Sequence, residues 1–261
     1  MSFALSDGLV TFFGVIRSLR IYYGDLDRRR AMDALHKRFL RPGDLAFDIG
    51  AHVGDRVASF RRLGAHVVAV EPQPALVRVL RFLYGRDAAV NIEPVALGRS
   101  PGRIELKLNL PNPTVSTASD AFVAAAKGAR GWEKQAWKRT IGVPMTTLDA
   151  LVARYGRPRF AKIDVEGFED EVLAGLTHAL PALSLEFTII QREVALKAIA
   201  RLARAGSYAF NATLGESQRL VHPEPLTAAT IARWLEALPS EANSGDIYAS
   251  IEPKLLRAVP A

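Results

Sequence analysis

The sequence predicts a doubly wound α/β domain around a mostly parallel sheet, and three observations carry that expectation. Short apolar runs recur at 45–49, 67–70, 160–165 and 183–190. Segments with apolar residues at helical spacing lie between them, and strands alternating with helices imply parallel pairing through crossovers. The first run feeds a glycine-rich turn, Gly50 to Gly54, of the kind that meets ligands at the C-terminal edge of such sheets. The 261 residues, 49% hydrophobic and 23% charged, suffice for a substantial core and exclude disorder over the whole length. The absence of cysteine removes disulfide scaffolds, zinc fingers and thiol nucleophiles.

The elements follow in order. Residues 9–40 read as helix, with Leu9, Phe12, Phe13, Ile16 and Leu19 at helical spacing, then Met32, Leu35 and Phe39. Gly24-Asp25 divides the two stretches. Phe12 and Phe13 are expected on a helix that covers the core rather than on a membrane-docking face. The apolar stretch 9–16 is less than half a bilayer span, no secretory signal is expected, and the cytoplasm is the expected compartment. Arg41-Pro42-Gly43-Asp44 breaks the helical pattern. A strand at 45–49, a helix at 57–63, a strand at 67–70 and a helix at 75–84 follow, then a strand at 91–97. Residues 103–110 alternate like an added hairpin strand. Residues 111–140 interrupt the rhythm, with Trp132 and Trp137 set among basic residues. A short strand at 143–147 precedes a helix at 148–154, a fourth main strand at 160–165 and a helix from Glu169. A fifth strand at 183–190 leads to a helix near 193–205, a strand near 208–213, a helix near 227–238 and a last strand at 246–251. One domain at 42–261, with a helical extension at 1–41 and an insertion at about 99–143, fits this order.

The net charge of +7 is uneven: residues 1–41 carry +4 and 111–160 carry +5, whereas 161–261 carry −4. Scattered arginines without an aromatic-basic motif favour a solvated surface, an acidic substrate or a protein partner over nucleic acid.

Three motifs carry chemistry. Asp48 precedes Gly50-Ala51-His52-Val53-Gly54, a Gly-x-x-x-Gly turn rather than Gly-x-Gly-x-x-Gly. A carboxylate at that strand end repels a pyrophosphate and suits a cationic ligand. Glu71 ends the second strand, 21 positions after Gly50, where an acid hydrogen-bonds ribose hydroxyls in nucleotide-binding α/β folds. Lys162, Asp164 and Glu166 share a face if the fourth strand continues through them, and Glu186 lies near the end of the adjacent strand. Such a group can align a substrate, accept a proton or bind a hard cation. A nicotinamide-dependent oxidoreductase and an RNA-binding methyltransferase are the alternative readings.

Together the motifs Asp48 to Gly54, Val68-Ala69-Val70-Glu71-Pro72-Gln73-Pro74 and Lys162-Ile163-Asp164-Val165-Glu166-Gly167-Phe168-Glu169 resemble the FkbM family of S-adenosylmethionine-dependent methyltransferases. Thr147-Leu148-Asp149 and Gly245-Asp246-Ile247-Tyr248-Ala249 are similar to that family too. The resemblance implies a class I, Rossmann-like methyltransferase fold and O-methylation of a small molecule, sugar or glycan. Carried onto this chain, it places Asp48, Gly50, Ala51 and Gly54 around the methionyl end of S-adenosylmethionine, with His52 in the same loop. It places Glu71 on the ribose, Pro72 and Gln73 beside it, and Ala96 near the adenine. Asp164 lies beside the transferring methyl or its acceptor and is the first candidate base, with Glu166 and Glu186 next. His52 stands where an Asn is usual, and Thr188 where a His often follows the fifth-strand acid. A divalent cation is compatible with these acids, but no metal-ligand set is assigned, since His36, His66 and His178 lack ligand spacing. A homo-oligomer is compatible with the sequence. Residues 111–140 are expected either to cover the acceptor site as a mobile segment or to form a rigid surface excursion.

Overall fold

The computed structural model describes residues 2–258. It opens with helices α1 (Ser2–Gly24) and α2 (Leu26–His36). Asp25 separates them, its carboxylate accepting the backbone N–H groups of Asp27 and Arg28 at 3.0 and 2.9 Å to cap α2. Strands β1 (Leu45–Ile49), β2 (His66–Val70) and β3 (Val90–Glu93) alternate with α3 (Asp55–Arg62) and α4 (Pro74–Tyr84). The interruption contains β4 (Ala96–Leu97), β5 (Gly102–Leu108), α5 (Asp120–Ala126) and β6 (Arg139–Thr146). Alternation resumes with α6 (Leu148–Tyr155), β7 (Phe160–Ile163), α7 (Glu169–Ala174), β8 (Ala182–Thr188) and α8 (Arg192–Ala205). The chain closes with β9 (Ala209–Leu214), α9 (Ala228–Ala237) and β10 (Ser244–Ser250).

Seven strands form the main sheet in the order β3-β2-β1-β7-β8-β10-β9. β10 runs antiparallel to both neighbours, and the other pairings are parallel. This is the class I methyltransferase arrangement that the resemblance implies. The winding reverses between β1 and β7, which makes their C-terminal ends the topological switch point of the sheet.

The structure corrects three expectations and shows how residues 111–140 pack. The strand expected at 91–97 is two: β3 ends at Glu93, and β4 joins a separate sheet ordered β4-β6-β5. Pro94 has no N–H to give to a ladder, so the chain leaves the main sheet there. The fourth main strand stops at Ile163, and Glu166 and Gly167 turn with φ of +55° and +85°. Strand alternation therefore does not bring Glu166 beside Lys162. Residues 111–140 hold their own small core, in which Phe122 meets Trp132 edge-on at 5.2 Å and Trp137 Nε1 donates to the Val115 carbonyl at 2.7 Å. Both tryptophans pack the insertion. Phe12 and Phe13 do not cover the core, being 56% and 66% exposed. α1 instead turns Val15 and Ser18 inward and crosses the 110–113 segment at Gly14, where an added Cβ would lie 2.7 Å from the Leu110 carbonyl oxygen.

Period-two alternation divides the core into two layers. Phe47 and Ile49 join the layer under α6, α7, α8 and α9, and Ala46 joins the layer facing α2 and α3. In the second layer Phe39 stacks on Phe160 at 4.8 Å and on Tyr248 at 5.8 Å. His36 is buried beside them, its Nδ1 2.8 Å from Ser59 Oγ, and burial holds it neutral well below the usual histidine range. Phe39→Ala should therefore cost about 3–5 kcal/mol in urea unfolding. Phe82→Ala, at a side chain 87% exposed on α4, should stay within about 0.5 kcal/mol of the parent.

Candidate active site

The ends of β1, β2 and β7 open onto one cleft of about 890 Å³, its mouth included. The turn after β1 is held against β2, because Gly50 and Ala51 both donate their N–H groups to the Val70 carbonyl at 2.9 Å. Gly50 has φ of +84°, and a Cβ there would lie 1.7 Å from the Asp164 carbonyl oxygen. Only glycine allows the β1 and β7 ends to approach this closely.

Two carboxylates stand in this corner. Asp48 is 1% exposed and its Oδ2 finds no hydrogen-bond partner among the described residues. Burial, reinforced by Asp55, pushes it up to about 7, against the pull of Arg56 and Lys162. Glu71 follows β2 and is 2% exposed. Its two oxygens accept the N–H groups of His52 and Gln73 at 2.9 and 2.8 Å, so one side chain clasps the turn after β1 and the start of α4. Burial pushes Glu71 up to about 8, although both N–H groups favour its ionised form.

A second acidic group surrounds the end of β7. Lys162 is 2% exposed and donates to Asp246 at 2.6 Å and to Asp164 at 3.1 Å. Burial pushes Asp164 up, but the Lys162 charge and hydrogen bond, a hydrogen bond with Glu186 and the Arg56 charge together outweigh it and hold this acid below the usual carboxylate range. Glu166 and Glu186 lack such a partner: burial and the Asp164 charge carry both well above their ordinary values. One oxygen from each of Asp164, Glu166 and Glu186 lies within 4.8 Å of the others. Glu169 stabilises the turn between them by accepting the N–H groups of Val165 and Gly167 at 3.0 and 3.1 Å.

The remaining walls come from distant parts of the chain. Val95, Ala96, Leu97 and Leu106 make an apolar side, and Thr114, Ser116 and Ala118 of the insertion face them. α1 contributes Tyr22, whose ring meets His52 edge-on at 5.4 Å. Burial keeps the His52 ring neutral by lowering it to about 4. At one side Arg28 and Arg56 share Asp55 and Glu216, with contacts between 2.5 and 3.1 Å.

Comparisons with known proteins bear on this cleft. The model of the family described as Methyltransferase FkbM domain matches residues 48–222. The chain belongs to the FkbM methyltransferase family. It is similar to the hexuronic acid methyltransferase AglP of Haloferax volcanii, 29% identical over 151 residues covering 57% of this chain and 55% of that protein. The chain thus spans about half the length of this curated relative. Among solved structures it is similar to a TehB-like SAM-dependent methyltransferase from Corynebacterium glutamicum, with TM-score 0.44 and 12% identity, covering 90% of this chain and 94% of that one. It is also similar to precorrin-6y C5,15-methyltransferase from Geobacter metallireducens, with TM-score 0.43 and 12% identity, covering 84% and 87%.

In this FkbM chain, Asp48, Gly50, Ala51, His52, Glu71, Pro72, Gln73, Ala96, Asp164 and Glu166 all line the cleft. Gly54 does not: its φ of +84° starts α3, and a Cβ there would meet the Tyr84 ring at 2.7 Å. Glu186 stands behind Asp164 and Glu166 rather than on the lining. Sequence reasoning missed Tyr22, Asp55, Arg56, Thr114 and Glu216, which carry no motif and reach the cleft through tertiary packing. Lys162 was legible as a charge on a buried strand, but its partner Asp246, 84 positions away, was not.

Two outcomes follow from these charges. Lys162→Met should cost about 3–5 kcal/mol by stranding buried carboxylates, and adding Asp246→Asn should recover part of the loss in urea unfolding. Glu71 titrates above its unfolded value, so the folded state holds its proton where the unfolded chain has lost it, and its contribution to stability falls as pH rises from about 4.5 to about 8. Glu71→Gln should accordingly gain stability relative to the parent as pH rises from about 5 to about 8, measured by thermal unfolding of the unliganded protein.

Proposed function

We propose that the protein transfers the methyl group of S-adenosylmethionine to a hydroxyl of a sugar acid or a glycan bearing one. The observation that carries this reading is the cleft at the switch point, where Asp48 presents a buried carboxylate oxygen with no partner among the described residues. A cationic cofactor answers that oxygen; the pyrophosphate of a nicotinamide cofactor, which sits at the glycine turn, would face the Asp48 carboxylate. The name of the related AglP supports a hexuronic acid as the acceptor class.

The residues present fit the cofactor. Asp48 and the Gly50–Ala51 backbone suit its amino-acid end. Glu71, fixed by two N–H groups, suits two neighbouring ribose hydroxyls. Pro72 and Gln73 flank that position, and Ala96, with Val95 and Leu97, suits the flat adenine. When bound, the sulfonium supplies a methyl group already activated for displacement by an oxygen nucleophile.

The chain's own part is to orient the acceptor and take its proton. Asp164 is suited to the second task because Lys162, Arg56 and the Glu186 hydrogen bond together favour its ionised form against burial, and it opens to the cleft. Glu166, raised by burial and on the cleft lining, is suited to donate a hydrogen bond to an acceptor oxygen, with Glu186 backing it. Their compactness with Asp164 also suits a hard divalent cation.

Calorimetry with S-adenosylhomocysteine should give an affinity that falls roughly tenfold or more in Glu71→Ala. Equal binding by the parent, Asp48→Ala and Glu71→Ala, all folded, would remove the cofactor assignment. With a hexuronate acceptor, Asp164→Asn should lower kcat by roughly a hundredfold. Turnover that survives chelator assigns the acidic group to the acceptor, whereas turnover restored by added Mg²⁺ assigns it to a cation.

A further inference from the structure

α1 and α4 share an outer face that the cleft does not use. On α1, Leu9, Phe12 and Phe13 are 58%, 56% and 66% exposed; on α4, Phe82 is 87% exposed and Leu83 42%. Phe12 and Phe82 border one apolar groove between the helices, floored by Val15, Leu19 and Val79. Soluble proteins seldom leave so many large side chains together in water unless the patch binds something.

The charges on the two helices select the occupant, and one of them, Arg78, lines the groove. Arg17 and Arg20 on α1, Arg78 and Arg81 on α4, and Arg86 just beyond it are all exposed. None of them has an ion-pair partner among the described residues. No Asp or Glu occurs in residues 8–24 or 72–86. The one carboxylate lining the groove among the described residues, Asp7, is paired with Arg139. Exposed aromatics with unpaired arginines on the same helices form a surface that sinks its apolar side chains into the headgroup boundary and draws anionic headgroups to it. A second copy fits poorly, because a twofold contact sets the same patch against itself and brings arginine to arginine. Among the described residues no helix is long and apolar enough to cross a membrane, so the contact is with a surface.

We propose that the α1–α4 face docks on an anionic lipid surface, with Phe12, Phe13 and Phe82 inserted and the arginines on the headgroups. The seam with the cleft is Gln73, which lines both the groove and the cleft and donates through Nε2 to the Pro113 carbonyl at 3.1 Å. Docking there leaves Asp48, Glu71 and Asp164 untouched, so it stands or falls separately from the methyl-transfer reading.

The test is flotation of the full chain with vesicles of phosphatidylcholine, with and without phosphatidylglycerol. The parent should float with the anionic vesicles at low salt and be released as salt rises. Phe13→Ser with Phe82→Ser should weaken binding at least about tenfold. Arg17→Gln with Arg78→Gln and Arg81→Gln should weaken it by about fivefold per arginine, for anionic vesicles only. Unchanged thermal unfolding and S-adenosylhomocysteine binding show that both variants remain folded. Parent protein that does not float, or variants that float as well as the parent, would overturn the proposal. So would light scattering that finds a dimer which Phe82→Ser converts to monomer, since a second copy would then cover the face.

Discussion

One buried ammonium organises the cleft end of this molecule. Lys162 lies in the centre of the main sheet, where an uncompensated charge would be too costly to keep. Its two partners come from opposite directions: Asp164 from the end of its own strand and Asp246 from β10. The pairing joins the antiparallel edge of the sheet to the switch point. It also leaves Asp164 ionised while Glu166 and Glu186, a few ångströms away, are driven toward their protonated forms. Three similar side chains thereby acquire different proton-transfer properties, set by which of them the ammonium reaches.

The sequence made the sheet legible because each main strand is an apolar run and each crossover helix repeats at helical spacing. It also made legible the residues that end those strands, since Asp48, Glu71 and Asp164 are polar where the pattern is apolar. What it concealed depends on contacts distant in the chain. Glu216 reaches the cleft by pairing with Arg28 and Arg56, 188 and 160 positions away. Tyr22 reaches it because α1 is seated by Gly14 on the 110–113 segment, a fit that no local pattern encodes. The same fit decided which side of α1 turned inward, and Phe12 and Phe13 were left outside. The strand at 91–97 was misread because the apolar pattern continues past Pro94 although the ladder cannot.

The charge distribution also has a physical order that the net figure hides. The protein is basic as a whole, yet the cleft is lined and backed by acids, and burial forces several of them to compete for protons. The positive excess is displaced outward, part of it onto residues 8–24 and 72–86 in and beside two helices, stretches that carry no acid. Acids inside and arginines outside give the molecule two electrostatic faces suited to different partners: a cation in the cleft and an anion on the flank.

The seam at Gly50 limits how this protein can vary. Any side chain there would drive into the Asp164 carbonyl and force apart the two strands whose ends form the cleft floor. That position has no conservative replacement, so adaptation cannot proceed through it by small steps. The roof is built differently: Thr114, Ser116, Ala118 and Tyr22 come from the insertion and an outer helix, where changes in size or polarity leave the sheet intact. The cleft can therefore change shape through its roof, whereas the floor admits almost no change. The architecture separates an evolvable half of the site from a frozen one along a single peptide contact.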